Sequence, residues 1–247
     1  MNTALSPETL NSIIQNPALF TLKKGDRRKT VVGIVNGPAL GTPGKIFLKR
    51  FNYKNFPDFL YKKLFGSRAR RLWKVSRALR EKGLPVPEPI AYIEPTFKCR
   101  EAFFISSAVE ESDNLALLFR TGQVHEPEEM GREIASLLAR FHMAGAVHGD
   151  MKWNNILVKN LAGERKYFIV DLDQAKVYER PRVRGIMRDL ARFYRSGLEM
   201  DAGDWVEANF LPLYTGMIDP QIGRRLDLNA IRKKALKMWD EKRSKKS

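Results

Sequence analysis

The stretch His148-Gly149-Asp150-Met151-Lys152-Trp153-Asn154-Asn155-Ile156-Leu157, with Ile169-Val170-Asp171 downstream, decides how this chain is read. It places a base, a lysine, an amide and a second carboxylate on one short loop–strand–turn–strand unit. Asp150 is positioned to orient or deprotonate a hydroxyl nucleophile. Asn155 can reach a magnesium ion through its side-chain carbonyl, and Asp171 offers a harder oxygen ligand that bridges metal and phosphates. Lys152 can neutralise charge on a moving phosphoryl group. His148 counts with Asp150 and Lys152 among the candidate catalytic residues, more by bracing the loop through hydrogen bonds than by doing chemistry itself. Taken singly, an Asp before a strand is a turn residue and an Asn is a cap; the combination points to phosphoryl transfer from ATP, which needs phosphates fixed, Mg2+ held and a nucleophile aimed. Asp173 has two readings, a further metal ligand or a structural hydrogen-bonding residue.

The bulk composition agrees with a soluble globular protein. The 247 residues suit one domain of two lobes, with 43% apolar and 29% charged residues. No run of about 18 apolar residues occurs, so no membrane span is expected. The opening residues lack a basic start followed by an apolar core, so no signal peptide is expected. Cys99 is the only cysteine, which excludes a disulfide within the chain and fits a cytoplasmic home.

The net charge of +16 is unevenly placed. Leu22 to Lys82 carries 18 Lys and Arg against Asp26, Asp58 and Glu81, and Ile231 to Ser247 carries 8 against Asp240 and Glu241. The remainder is net negative. Such segregation suits docking on a polyanion, whether nucleic acid, anionic lipid or phosphorylated glycan, and a solubilising surface is the plainer reading.

Local patterns predict the elements. Ser6-Pro7-Glu8 looks like a helix start. Strands are expected over 18–22, 31–35, 46–51, 90–93 and 102–109. A helix opens at Ser67, runs to about Lys82 and closes at Gly83, burying Ala69, Leu72, Trp73, Ser76 and Leu79. Another spans 126–144, with Ile134, Leu137, Leu138, Phe141 and His142 on or beside one face. Strands at 156–158 and 166–170 form a hairpin, and the chain beyond Ile186 reads as helical. The pattern predicts an α+β fold of two lobes: an antiparallel five-stranded sheet plus helix over 1–108, and a mainly helical part over 109–247.

HGDMKWNNIL…IVD resembles the catalytic and metal-binding loops of the protein-kinase-like superfamily, with Gly149 as in its aminoglycoside and choline kinase branch. Closer still are the bacterial lipopolysaccharide core kinases, which phosphorylate Kdo or heptose. Three further segments carry that resemblance: Ile46-Phe47-Leu48-Lys49-Arg50-Phe51, Gly83-Leu84-Pro85-Val86-Pro87-Glu88-Pro89-Ile90, and Arg188-Asp189-Leu190-Ala191-Arg192-Phe193-Tyr194-Arg195-Ser196. It implies a protein-kinase-like fold and a sugar kinase that uses ATP and Mg2+. Lys49 is then the strand lysine on the α- and β-phosphates of ATP. The implied acceptor is an anionic glycolipid, met at the inner face of the inner membrane through peripheral contact with its anionic surface; nucleic acid is not the expected partner.

Two positions depart from the pattern. Leu72 stands where the helix glutamate that pairs with the lysine would fall. Lys24-Gly25-Asp26-Arg27-Arg28-Lys29 replaces the glycine-rich loop, so that Lys24, Gly25, Arg27 and Arg28 would clamp phosphates or else face the acceptor. Gly149 replaces the arginine that reads a phosphorylated activation loop, the segment from Asp171 to the helix near Ile186 is short, and no Ala-Pro-Glu motif follows. These features argue against protein substrates. The other readings are a pseudokinase that binds an anionic partner, and a kinase of proteins or small metabolites. The C-terminal helix, Ala230 to about Lys242, suits either anionic lipid or packing on its own lobe. Arg180, Arg182, Arg184 and Arg188 are candidates for contacting an anionic glycan, or are simply solvated.

Overall fold

The computed structural model describes residues 10, 12, 13, 15, 20–23, 30–36, 44–53, 57, 59, 60, 66–97, 100–161 and 163–244. The Ser6-Pro7-Glu8 helix start, the basic segment 24–29 and Cys99 lie outside them. The chain divides into two compact units, Met1–Arg80 with Pro87–Glu110, and Glu81–Val86 with Glu111–Ser247.

In the first unit, alternating apolar residues give an antiparallel sheet. Its strands are β1 (Phe20–Lys23), β2 (Thr30–Asn36), β3 (Lys45–Asn52), β4 (Pro89–Ile93) and β5 (Glu101–Ser107), ordered β1-β2-β3-β5-β4. Edge strand β1 is known by its backbone pairing with β2. One face buries Val31, Val35, Ile46, Leu48, Phe103 and Ile105 against Leu10 and Ile13. The period of two sends Lys49 to the opposite face, in register with Val32 and Phe104.

Helix α1 (Arg68–Glu81) starts where the sequence predicts. The Ser67 hydroxyl caps it by accepting from the Arg70 N–H at 3.0 Å. It lies on the Lys49 face of the sheet. Trp73 packs on Tyr92 with centroids 5.3 Å apart, and the Arg68 guanidinium sits 4.7 Å over the Phe51 ring. Its buried side chains are Ala69, Leu72, Ser76 and Leu79, while Arg70, Arg71, Lys74, Arg77 and Arg80 are exposed. No carboxylate lies on the buried side of α1.

The second unit contains β6 (Asp113–Asn114), α2 (Leu115–Arg120), α3 (Pro127–Met143), β7 (Ala146–Val147), β8 (Ile156–Leu161), β9 (Glu164–Ile169), β10 (Lys176–Val177) and α4 (Val183–Leu198). After α4 come α5 (Gly203–Trp205), a π-helical turn over Val206–Phe210, α6 (Leu211–Met217), α7 (Pro220–Gly223) and α8 (Leu228–Arg243). The turn Gly83–Val86 belongs here: the Ile169 N–H donates to the Pro85 carbonyl at 2.9 Å and Arg140 donates to Gly83 O at 3.1 Å. Aromatic rings form the core. Trp153 meets Phe119, Phe193 and Trp205 at centroid distances of 4.5, 5.6 and 5.6 Å, and Phe210 continues the stack to Tyr214.

Helix α8 packs on α4 with Ile231 and Ala235 buried. Arg232 forms a fork on Glu207 at 2.6 and 2.7 Å, and Lys242 reaches Glu199 at 2.7 Å. Part of the C-terminal charge is thus spent on holding the helix down, while Lys233, Lys234 and Lys237 stay exposed. No described helix is long and apolar enough to cross a membrane.

Two side chains of β9 tie the β8–β9 hairpin to α3 and its N-cap, and Arg165 makes most of the bonds. The Arg165 guanidinium donates to Glu133, Glu126 and Glu129 at 2.8, 2.9 and 3.0 Å, and the Tyr167 hydroxyl donates to Glu133 at 2.7 Å. Removal of Arg165 leaves three carboxylates facing one another. Arg165→Met is expected to lower stability by about 2 kcal/mol, less than a fully buried pair because the glutamates are partly exposed. Urea denaturation checks this, and an unchanged midpoint would show the clamp to be idle.

Candidate functional site

Strand β7 delivers the loop. It pairs with β10 and lies under α4 so closely that a Cβ on Gly185 would come within 2.5 Å of Val147 Cγ2. The loop is then fastened from behind by Asp189 of α4. Its Oδ2 accepts the His148 N–H at 2.6 Å and its Oδ1 the Gly149 N–H at 2.9 Å. Gly149 has φ of +82°, and a Cβ there would come within 2.9 Å of Gln174 Cβ. Only glycine satisfies both the backbone angle and the contact. The arginine familiar at this position in protein kinases would not fit.

Asp189 is fully buried, and so is His142, whose Nε2 lies 3.6 Å from Asp189 Oδ2 and whose Nδ1 is 2.8 Å from the Tyr214 hydroxyl. Burial alone would raise the Asp189 pKa. The His142 ring, then His148 through its ring and N–H, outweigh burial and hold the carboxyl below its usual range.

Both ring nitrogens of His148 are engaged by the backbone, which gives it a bracing place in the loop. Its Nδ1 accepts the Asp150 N–H at 3.2 Å, which assigns the proton to Nε2 and makes Nε2–H the donor to Val170 O at 2.9 Å. Val170 in turn donates its N–H to the Asn155 carbonyl at 2.9 Å. One residue therefore registers the Asp150–Asn155 loop against Asp171.

Along that loop, Asp150 Oδ2 accepts from Lys152 Nζ at 2.7 Å, and Arg192 Nε lies 3.9 Å from Oδ1. Trp153 is completely buried in the aromatic stack and pins the turn between Lys152 and Asn155. Asn155 is also buried. Its amide nitrogen donates to the Asp150 carbonyl at 2.9 Å, leaving its side-chain oxygen as the atom suited to a cation. Asp171 follows β9 with φ of +59°, a left-handed turn that aspartate tolerates better than most residues. An amide oxygen and a carboxylate from adjoining segments are hard donors and fit Mg2+, which keeps waters and takes further oxygens from phosphates. Among the described residues no group of three or more His, Cys, Asp and Glu could hold a metal ion.

The second unit thus brings together His148, Asp150, Lys152 and Asn155 by direct contacts, and ties Asp171 to them through Val170. Lys49 is in the first unit. It is buried on β3, with Nζ 5.6 Å from the Phe51 ring centroid. Lys24, Gly25, Arg27 and Arg28 are outside the described residues. Asp173 is half-buried in the turn after Asp171, and Arg180, Arg182, Arg184 and Arg188 are exposed. Helix α4 begins at Val183, ahead of Ile186, so the segment after Asp171 is shorter than the sequence implies. Sequence reasoning missed Asp189, His142 and Arg192. An aspartate at an otherwise apolar position of α4 was the available signal for the first.

Burial lowers the His148 pKa, against the raising pull of the Val170 bond and the nearby Asp189, Asp171 and Asp150 carboxylates. On unfolding the imidazole regains its ordinary value near 6.5 and takes up a proton in the interval between the two values. Stability is then full above that value and declines as pH drops below it. Urea midpoints measured from about pH 7.5 down to about pH 5.5 are expected to fall, and His148→Gln to flatten the decline. A wild-type midpoint flat across this interval contradicts a neutral buried His148.

Comparison with known proteins follows the same lines. The family model described as lipopolysaccharide kinase (Kdo/WaaP) matches residues 22–216. Curated relatives named 3-deoxy-D-manno-octulosonic acid kinase include one from Stenotrophomonas maltophilia, 35% identical over 52% of this chain and 49% of the relative. Another, from Actinobacillus succinogenes, is 27% identical over 61% of this chain and 65% of the relative. The Haemophilus influenzae relative is 32% identical over 39% and 40%. The chain thus spans between 40% and 65% of these relatives' lengths. A solved structure described as WaaP in complex with acyl carrier protein shares the fold, with TM-score 0.59 and 17% identity over 97% of this chain and 96% of that one. With 22–216 matched and the loop, its Asp189 anchor and Asp171 all inside that range, the chain belongs to the lipopolysaccharide kinase (Kdo/WaaP) family.

Proposed function

We propose that this protein transfers the γ-phosphoryl group of ATP to a sugar hydroxyl of the lipopolysaccharide inner core, on Kdo or heptose. The observation that carries the reading is the Asp150–Lys152–Asn155 loop, locked in register with Asp171 through Val170, in a member of this family. Asp150 orients the acceptor hydroxyl and takes its proton as the oxygen attacks the γ-phosphorus and ADP departs. Lys152, already held at Asp150 Oδ2, steadies the charge of the transferring group. Asn155 and Asp171 hold Mg2+, which supplies electrophilic polarisation of the phosphates. Lys49 holds the α- and β-phosphates, and Lys24, Gly25, Arg27 and Arg28 help to clamp them. The exposed cations of α1 and the tail draw the protein to an acidic glycolipid on the cytoplasmic face of the inner membrane.

Buried Leu72 favours a second reading, a pseudokinase-type binder of an anionic partner, because an apolar side chain stands where the family's helix glutamate would fall. Two measurements separate the readings. ATP with Mg2+ is expected to stabilise the wild type by about 2–3 kcal/mol near 100-fold excess over Kd in a thermal-shift titration, and Asp171→Ala to lose most of this. No Mg-dependent shift in the wild type supports the binder. Asp150→Ala is expected to cut phosphate transfer to core oligosaccharide by about 10²- to 10⁴-fold with unchanged unfolding, read by ADP release and product mass. Wild-type turnover that survives this change removes Asp150 from its role.

A further inference from the structure

Arg192 lies on α4 one turn beyond Asp189, beside the loop it anchors. Arg165 and Arg232 each settle their guanidinium on two or three carboxylate hydrogen bonds at 2.6 to 3.0 Å. Arg192 closes none. Its Nε is 3.9 Å from Asp150 Oδ1, beyond hydrogen-bond length, and its NH1 is covered by protein without an acceptor. That covered nitrogen cannot meet a ligand, so what Arg192 offers the site is the rest of its guanidinium fork, which closes no hydrogen bond. The side chain is 25% exposed, so it also reaches the rim of the site.

The two oxygens of Asp150 are not equivalent. Lys152 occupies Oδ2 at 2.7 Å, which leaves Oδ1 for an acceptor hydroxyl, and Arg192 stands on the Oδ1 side. A hydroxyl delivered to Oδ1 brings the rest of its sugar against the guanidinium. A carboxylate on that sugar can take the parallel N–H donors of the fork, whereas a neutral sugar leaves them unmet. Exposed Arg188, one helical turn before Arg192, adds positive potential on the same face.

We propose that Arg192 is the residue that reads the acceptor, selecting a sugar that carries a carboxylate near the phosphorylated hydroxyl over a neutral one. This rests on the phosphotransferase reading and deepens it, from a core sugar of either kind to an acidic one. The chemistry of transfer is unchanged. The hydroxyl oxygen bonds to the γ-phosphorus, the bond to the β,γ-bridging oxygen breaks, ADP leaves and the proton passes to Asp150, with the carboxylate a spectator.

The test uses the full chain, ATP and Mg2+, with four acceptors: a glycoside of 3-deoxy-octulosonic acid, its primary amide, a neutral heptoside, and that heptoside bearing a phosphate monoester. Acceptor-dependent ADP release gives kcat/KM for each, with wild type, Arg192→Gln and Arg192→Lys compared after their unfolding midpoints are matched. The wild type is expected to favour the acid over its amide by about 10- to 100-fold, the worth of a charge-assisted hydrogen bond. Arg192→Gln is expected to lose that preference mainly through KM for the acid, and Arg192→Lys to recover part of it. Equal wild-type use of acid and amide, or a preference for the phosphorylated heptoside over the acid, overturns the proposal and leaves the kinase reading intact. An Arg192→Gln loss equal for acid and amide assigns the residue to holding Asp150 and also overturns it. No acceptor-dependent ADP with any of the four sugars overturns both.

Discussion

The carboxylate of Asp189 is the constraint on which the second unit depends. It is buried completely, and it accepts the N–H groups of His148 and Gly149 at 2.6 and 2.9 Å. Burying a carboxylate is expensive unless its acceptor capacity is spent, and here the loop spends it. The exchange is mutual. A loop that must expose Asp150 cannot bury its own backbone donors in a strand ladder, so α4 supplies the acceptor from behind. The start of the loop, at His148 and Gly149, takes its place from that contact.

Rigidity then spreads by short hydrogen bonds rather than by bulk. His148 passes the constraint to Val170, and Val170 passes it to Asn155. Trp153 holds the middle of the loop from below by aromatic packing, with ring centroids 4.5 Å from Phe119 and 5.6 Å from Phe193. The side chains with chemistry to offer, Asp150, Lys152 and Asp171, are the less buried ones. Rigid, buried neighbours hold these three side chains at the surface of the unit, the arrangement that the proposed transfer would use to limit reorganisation as charge develops.

The basic side chains among the described residues divide into those paired with carboxylates and those exposed at the surface. Arg165, Arg232 and Lys242 are committed to carboxylates and fasten the β8–β9 hairpin and the C-terminal helix. The exposed cations of α1 stay on the surface, while its buried side is apolar through Leu72. Arg192 belongs to neither group, since it is partly buried and stands 3.9 Å from Asp150 Oδ1 without closing a hydrogen bond.

Sequence alone determined the types of the longer elements though not helix α2, the helix boundaries at Ser67 and Gly83, and the identity of the loop residues. Local signals carry these features: period-two and helical spacing, caps, and a motif whose members are close in the chain. The two-residue strands β6, β7 and β10 escaped, because so short a pairing has no periodicity to read. Tertiary structure alone decided that Asp189 anchors the loop from 39 residues beyond Asp150, and that the Gly83–Val86 turn belongs with the second unit. It also decided that Gly149 is required by a contact with Gln174 and that Arg192 stands beside Asp150. These depend on which surfaces meet when α4 crosses β7. Contacts between residues far apart in the chain are set by packing, and no local pattern encodes them.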